Sequence, residues 1–238
     1  LGGSKQIKHT DIFSQWQGLI IDNELSIGAR IVDHDKFSTH TTYNFNWARD
    51  LSSTLRVNGS YGTASNLPSH FQNNLNIVAG KTSLKPERSK NLELGLTGDY
   101  EWGNVELKFY KSKVTDAFAY FAATPAYYKN DGTVNIQGAE LSLGTNLLGW
   151  DLDTSLDFNK AIAASTNLEK GRRPNRSIAL NLSKTSGKWK RNINWTAKSR
   201  AWDKDNHSTG EIGGYGLLNL STSYDFTDNL SVYLNRNN

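Results

Sequence analysis

Apolar and polar residues alternate along most of this chain with a period of two, which is the spacing of a β-strand with two chemically different faces. The pattern is clearest beyond Leu84, where we predict such a strand ending near Tyr100. Its apolar face carries Leu92, Leu94, Leu96, Gly98 and Tyr100, and its polar face carries Glu93, Gly95, Thr97 and Asp99.

Similar alternation recurs in further segments, and the connections between them are alternately short and long. We expect long loops at residues 62–85, 116–131, 161–174 and 202–215, and a tight turn at Arg49-Asp50. The apolar face would pack on a second sheet in a soluble β-sandwich and would contact lipid in an outer-membrane barrel. Short turns at one end and long loops at the other are typical of the barrel. The pattern thus predicts an all-β fold, an antiparallel transmembrane β-barrel with about 12 strands in this chain.

Three motifs carry a family resemblance. They are Leu84-Lys85-Pro86-Glu87-Arg88 with Ser89, Asn91, Glu93 and Gly95; Phe109-Tyr110 with Val114-Thr115-Asp116; and Tyr128-Lys129-Asn130-Asp131-Gly132 with Ile136-Gln137-Gly138-Ala139-Glu140. In order and residue type they resemble the later part of the barrel of TonB-dependent outer-membrane receptors, with the vitamin B12 (cobalamin) transporter branch closest in look. The resemblance implies that residues 1–238 form one partial barrel domain, the C-terminal portion of a barrel of roughly 22 strands without its plug.

The same resemblance implies a function. An outer-membrane active transporter of a bacterial cell would take up a scarce, bulky nutrient, cobalamin or a ferric siderophore (a metal chelate), with energy from TonB acting through the missing N-terminal part. We further expect a monomer that contacts outer-membrane lipid and lipopolysaccharide, performs no enzymatic reaction and has no cofactor. A haem receptor, a non-transporting barrel enzyme or adhesin, and a soluble lectin are the alternatives. The haem branch's signatures are replaced by Ser65-Asn66-Leu67-Pro68 and Lys81-Thr82-Ser83-Leu84.

The composition of the chain argues against several other classes of protein. The chain has 238 residues, 37% of them hydrophobic, and a mean hydropathy of −0.60. No segment approaches the ~18 apolar residues of a membrane-spanning helix. The net charge of +4 is spread among acidic residues, which argues against nucleic-acid binding. The absence of an initiator Met and of a signal peptide leads us to expect part of a longer precursor.

Five residues in the long loops are candidate ligand contacts. Arg172 and Arg173 offer guanidinium groups, which suit phosphate, carboxylate or amide-rich ligands, although attachment to lipopolysaccharide or an internal salt bridge would use them equally well. Tyr127, Tyr128 and Trp202 could stack on a planar ligand, and an interfacial aromatic girdle is the alternative role.

Metal and catalytic sites have less support in the sequence. Asp33, His34 and Asp35 could supply oxygen and imidazole ligands to a cation, but they also fit a solvated loop. Asp203, Asp205 and His207 have the same two interpretations and lack the glycine and distal glutamate of an EF-hand. No H-E-x-x-H, G-x-S-x-G or phosphate-binding loop occurs. We therefore predict no metal site and no catalytic residues.

Overall fold

The computed structural model describes residues 8–37, 39–203 and 210–238, and these are mostly β-strand. One helix is present among them, α1 (His70–Val78). The strands are β1 (His9–Ile20), β2 (Asn23–His34), β3 (His40–Asp50), β4 (Leu55–Asn66), β5 (Glu87–Tyr100), β6 (Gly103–Thr115), β7 (Phe118–Phe121), β8 (Tyr127–Asn130), β9 (Thr133–Leu147), β10 (Trp150–Ala163), β11 (Leu168–Glu169), β12 (Arg176–Ser186), β13 (Trp189–Lys198), β14 (Ala201–Trp202), β15 (Glu211–Ile212), β16 (Tyr215–Thr227) and β17 (Leu230–Arg236).

Most of the strands form one 13-stranded sheet. Its order is β1-β2-β3-β4-β5-β6-β9-β10-β12-β13-β16-β17, with β11 attached to β10, and every pair is antiparallel. Two short hairpins, β7–β8 and β14–β15, lie outside this sheet. Each large strand is therefore the neighbour of the next large strand in sequence, which is the up-and-down order of a barrel wall. The predicted fold class is confirmed.

The connections alternate in length as expected. Tight turns join β1 to β2, β5 to β6, β9 to β10, β12 to β13 and β16 to β17, whereas long loops join β4 to β5, β6 to β9, β10 to β12 and β13 to β16. Because neighbouring strands are antiparallel, all the long loops lie at one end of the sheet. We call this the loop end, and the opposite end the turn end.

Two local predictions were wrong. Arg49-Asp50 is not a turn, since both residues remain in β3 opposite Val57 and Arg56. The Asp50 carboxylate accepts a hydrogen bond of 2.9 Å from Arg56 Nη1, and the turn follows at residues 51–54. The connections expected as loops at 62–85 and 116–131 also contain α1 and the β7–β8 hairpin.

The two faces of the sheet differ in chemistry as the alternation predicts. On the polar face, charged side chains of neighbouring strands form ion pairs: Arg30 with Asp11, Arg56 with Glu24 and Asp50, Lys108 with Glu106 and Glu140, and Lys190 with Asp225. On the apolar face, Leu94 lies opposite Gly59 on one side and Phe109 on the other. Leu94 and Phe109 are each 50% exposed.

No second layer covers the apolar face in the part of the chain that the structure describes. Extensive contacts join each large strand to its sheet neighbours, and no contact of similar extent joins the sheet to another layer. The buried hydrophobic residues among those described are Leu84, Val134, Ala161 and Ala201. A soluble sandwich needs a core between two sheets, so that alternative is wrong for this fold. No described helix is long and apolar enough to cross a membrane.

Candidate functional site

The loops at the loop end are held together by side chains, starting with helix α1. Ser69 and Gln72 form a capping box at its start: Ser69 Oγ accepts from the Gln72 N–H at 3.2 Å, and Gln72 Oε1 accepts from the Ser69 N–H at 2.7 Å. This pair satisfies backbone groups that the first turn leaves unpaired. The cap fixes the residue at which the helix begins. The start of the helix in turn determines which side chain faces the β6–β9 loop.

Asn76 of α1 connects the helix to the β7–β8 hairpin. Its side chain is 1% exposed, and its amide nitrogen donates to the carbonyl oxygens of Tyr128 at 2.8 Å and of Thr82 at 3.0 Å. Its Oδ1 accepts from the Tyr128 N–H at 2.7 Å. One buried side-chain amide thus supplies the hydrogen-bond partners of three backbone groups, which belong to two different loops. We call residues 67–86 together with 116–132 the helix–hairpin unit.

A second set of bonds explains the motif residues around Pro86 and Asn130. The Asn130 side chain accepts from the Lys85 N–H and donates to the Lys85 and Asp116 carbonyls, at 2.7–2.9 Å. Glu87 accepts from the Phe118 N–H at 2.5 Å and from Asn66 Nδ2 at 2.8 Å. These family-like residues therefore fasten the two loops to the top of the sheet and need no direct role with a ligand.

The predicted aromatic residues Tyr127 and Tyr128 belong to the helix–hairpin unit. The Tyr127 ring stacks on Phe121, with ring centroids 5.4 Å apart, and Lys81 Nζ lies 4.9 Å from the centre of the Tyr127 ring. The Tyr128 ring contacts Tyr120, which is 57% exposed, at a centroid distance of 5.2 Å. The hairpin thus presents a small aromatic surface next to a cation.

The predicted residues Arg172 and Trp202 lie together although they belong to different loops. The Arg172 N–H donates to the Trp202 carbonyl at 2.6 Å, and Arg172 Nε donates to Asp203 Oδ1 at 2.9 Å. Arg172 holds this position with a φ of 58°. We call Arg172, Trp202 and Asp203 the arginine clamp, since they join the β10–β12 and β13–β16 loops. The neighbouring Arg173 is exposed.

Four of the five candidates therefore fall into two groups at the loop end, the arginine clamp and the aromatic side of the helix–hairpin unit, and Arg173 adjoins the clamp in sequence. The two groups belong to different pairs of loops. Asn76 could not be identified from the sequence, because its partners are distant along the chain. Neither could Lys81, because its position over Tyr127 depends on the fold of the loop. Asp203 was expected as a cation ligand or a solvated loop residue, but its carboxylate pairs with Arg172.

The Asp33-His34-Asp35 segment does not form a clustered ligand set. His34 Nδ1 accepts from the Lys36 N–H at 3.1 Å, and the ring stacks on His9 and packs against Phe37. Asp33 accepts a hydrogen bond from Thr39 Oγ1 at 2.9 Å. Within residues 8–37, 39–203 and 210–238, no group of three His, Asp or Glu side chains is arranged to hold a metal ion. Asp205 and His207 lie outside the described residues.

Comparison with known proteins identifies the fold. A family model described as "TonB dependent receptor-like, beta-barrel" matches residues 11–238. The vitamin B12 transporter BtuB of Photobacterium profundum is 29% identical over 221 residues, which are 90% of this chain and 36% of that protein. This chain therefore spans about a third of the length of that relative.

Solved structures agree on the architecture. A mutant of the ferric enterobactin receptor of Pseudomonas aeruginosa superposes with a TM-score of 0.83 at 16% identity, over 98% of this chain and 39% of that one. The siderophore receptor PirA of Acinetobacter baumannii gives a TM-score of 0.79 at 16% identity, over 93% of this chain and 40% of that one. At such identities the likeness concerns the fold, in which this chain is a partial barrel. With the family match extending over nearly its whole length, the chain belongs to the family of TonB-dependent receptors, as part of their β-barrel.

Proposed function

We propose that the complete protein containing this chain is an active transporter of the bacterial outer membrane that captures a scarce, bulky nutrient in its loops and passes it inward with energy from TonB. The observation that carries the proposal is the cross-bracing at the loop end. Asn76 and Asn130 hold one pair of loops together, and Arg172 holds a second pair. Braced loops present a preorganised surface, which lowers the entropy cost of ordering them around a ligand.

Cobalamin and ferric siderophores are the substrates that we propose. A vitamin B12 transporter is among the relatives, and receptors for ferric enterobactin and other siderophores share the fold. Both kinds of ligand are large and carry amide or anionic oxygen groups around a metal centre. The exposed Arg173 and the half-exposed aromatic residues of the β7–β8 hairpin offer complementary charge and stacking surface.

The part played by this chain is binding and containment, without bond chemistry. Its polar face, rich in ion pairs, would line the interior, and its apolar face would contact lipid. Coupling to TonB belongs to a part of the protein outside this chain. We propose a monomer, because in the completed barrel each strand edge is paired within the same chain.

Uptake by the full-length receptor tests this proposal. We expect Arg172→Ala with Arg173→Ala to reduce uptake of radiolabelled cobalamin or of a ferric siderophore by about tenfold or more, because a charge-assisted bond and the brace between two loops are lost. Arg191→Ala and Ser186→Ala at the turn end are the matched controls and should leave uptake unchanged. Parental uptake by the double variant would remove the arginines from the site. Uptake of neither substrate by the parent would contradict the proposed function.

A further inference from the structure

The loop end of the sheet contains a basic cavity on the side of β5 that carries the leucines. Strands β3 and β4 are paired from Asp50↔Arg56 to Asn44↔Gly62 and separate beyond that point. There the Tyr43 N–H donates to Thr63 Oγ1 at 3.0 Å instead of continuing the ladder. The separation opens a cavity of about 500 Å³ between the two strands and the adjoining ends of β5 and β6. Residues lining it include His40, Ser65, Arg88, Lys90 and Lys113.

The cations at this cavity lie on the apolar face, just past the apolar stripe. Along β5 that face carries Leu96, Leu94 and Leu92 and then changes to Lys90 and Arg88. Residues two apart on a strand are separated by about 7 Å. Lys90 therefore lies about one step above the last leucine. In a barrel whose leucine stripe contacts hydrocarbon, that is the level at which lipid headgroups begin.

These cations lack the carboxylate partners that four cations of the other face have. Lys90 and Lys113 are directly opposite each other in the β5–β6 ladder, an arrangement of like charges that destabilises a strand pair. Arg88 is on the same face, next along β5 from Lys90. In the described residues no ion pair involves any of the three, whereas Arg30, Arg56, Lys108 and Lys190 on the polar face all have one. An anion between Lys90 and Lys113 would relieve their repulsion.

Two residues lining the cavity have buried polar atoms without a hydrogen-bond partner in the part of the chain that the structure describes, His40 and Ser65. The strand register places His40 on the polar face, together with Asn44. Ser65 is on the face of the cations, directly opposite Arg88 in the β4–β5 ladder. A buried donor without a partner costs free energy, so its retention in a cavity indicates a bound group that accepts hydrogen bonds.

We propose that this cavity binds a phosphate group on the headgroup of an outer-leaflet glycolipid, with Arg88, Lys90 and Lys113 neutralising the phosphate and Ser65 donating a hydrogen bond to it. The position of the three cations favours a lipid headgroup over a free phosphate ion. They continue the lipid-facing stripe of leucines and do not face the barrel interior. The proposal rests on the proposed membrane location. It concerns lipid binding only, so its failure would leave nutrient uptake as the separate measure of the proposed function.

Lipid binding to the full-length receptor in detergent tests the site, with native mass spectrometry to count bound lipid. The probes are lipid A with two phosphates, the same lipid after removal of both phosphates, and inorganic phosphate. We expect the diphosphorylated lipid to bind the parent at least about tenfold more tightly than the dephosphorylated lipid. Lys90→Gln with Lys113→Gln should abolish that preference. Lys184→Gln with Arg191→Gln, which removes two cations from the same face at the turn end, should leave it within about twofold.

A second variant and a stability measurement separate binding from folding. Ser65→Ala removes the unpaired hydroxyl with little change in side-chain volume, and it should weaken lipid binding by about threefold or more. Without lipid, the Lys90/Lys113 double variant should melt no lower than the parent, since it loses a like-charge pair. Added diphosphorylated lipid should raise the melting temperature of the parent and not that of the variant.

Three results would overturn the assignment. Equal binding of the two lipids by the parent would show that phosphate is not recognised. Parental binding by the Lys90/Lys113 variant would place the lipid elsewhere. Displacement of lipid by inorganic phosphate at comparable concentration would make the site one for free phosphate and not for a lipid headgroup.

Discussion

At the scale of single residues, the alternation of side chains predicted the faces of the sheet well, because the period of two is a property of the backbone and requires no tertiary information. Single turn positions were harder to predict. Asp22-Asn23 looks like a turn pair, but the turn is Ile21 and Asp22, at φ values of 46° and 59°. Asn23 instead begins β2, and its side chain donates to the Ile21 carbonyl at 2.7 Å and accepts from Trp47 Nε1 at 2.9 Å. Those partners depend on the register between strands.

The glycine of the I-Q-G-A-E motif gives a prediction at this scale. A Cβ at Gly138 would lie 2.5 Å from the Phe158 carbonyl oxygen and would also overlap the Tyr110 ring. Because the obstructing carbonyl belongs to the neighbouring strand, the ladder must shift to make room. Gly138→Ala should therefore lower the free energy of unfolding of the full-length receptor by about 1–3 kcal/mol, measured by urea titration in detergent or lipid.

Gly62→Ala is the control for this change. Gly62 is also a polar-face glycine in a strand, but its nearest neighbours would be 3.9 Å from an added Cβ. Its free energy of unfolding should change by about 0.5 kcal/mol or less. Similar losses for the two variants would show that the close approach at Gly138 is not what the motif glycine provides.

At the scale of elements, the large strands could be predicted, but the elements inside the loops could not. Helix α1 has the sequence HFQNNLNIV, which is rich in Asn and has little intrinsic helix propensity. It forms because Ser69 and Gln72 cap it and because Asn76 bonds to a loop 52 positions later in sequence. For the same reason the sequence could suggest Tyr127 and Tyr128 as aromatic loop residues but could not place them against α1.

Replacing Asn76 tests whether the helix–hairpin unit is one structural element. Asn76→Ala removes three hydrogen bonds and leaves the Tyr128 and Thr82 backbone groups without their partner, at a cost of about 1–3 kcal/mol for each unsatisfied buried group. We expect the 67–86 and 116–132 loops to become sensitive to protease while the barrel remains folded in a heat-modifiability assay. Affinity for the nutrient should also fall, since the loops are no longer preorganised.

Asn74→Ala is the matched control, because Asn74 belongs to the same helix and its side chain is exposed. It should leave both protease sensitivity and nutrient affinity unchanged. If Asn76→Ala were as resistant to protease as the parent, the two loops would not depend on this amide for their association.

At the scale of the whole molecule, one assignment underlies both the proposed uptake and the proposed lipid site: the apolar face meets lipid and the polar face meets the barrel interior. Composition and pattern suggested it. The family match supports it, as does the continuous sheet, which has no second layer among the described residues. The sequence could not show that Arg30, Arg56, Lys108 and Lys190 are paired with carboxylates and that Lys90 and Lys113 are opposite each other, because pairing depends on the strand register. Adjacent residues of a strand lie on opposite faces, so they should respond in opposite ways to the same substitution. A slip of one position in the register would exchange the two faces.

Adjacent positions on β5 make this assignment measurable as stability. Leu94→Arg places a cation on the lipid face near the middle of the stripe and should lower the free energy of unfolding by about 2–4 kcal/mol. Glu93→Arg keeps a charge on the polar face and should change it by about 0.5 kcal/mol or less. Urea titration of the full-length receptor in lipid vesicles measures both.

The most direct measurement is the accessibility of cysteine at these two positions in the full-length receptor embedded in a bilayer. The chain contributes no cysteine of its own, so Glu93→Cys and Leu94→Cys can each be labelled without background from this part of the protein. A fluorophore at position 94 should be quenched by a lipid-phase quencher, and its thiol should be closed to a membrane-impermeant reagent. Position 93 should show the reverse. The same response at both positions, or the opposite assignment, would contradict the lipid-facing barrel wall on which the account depends.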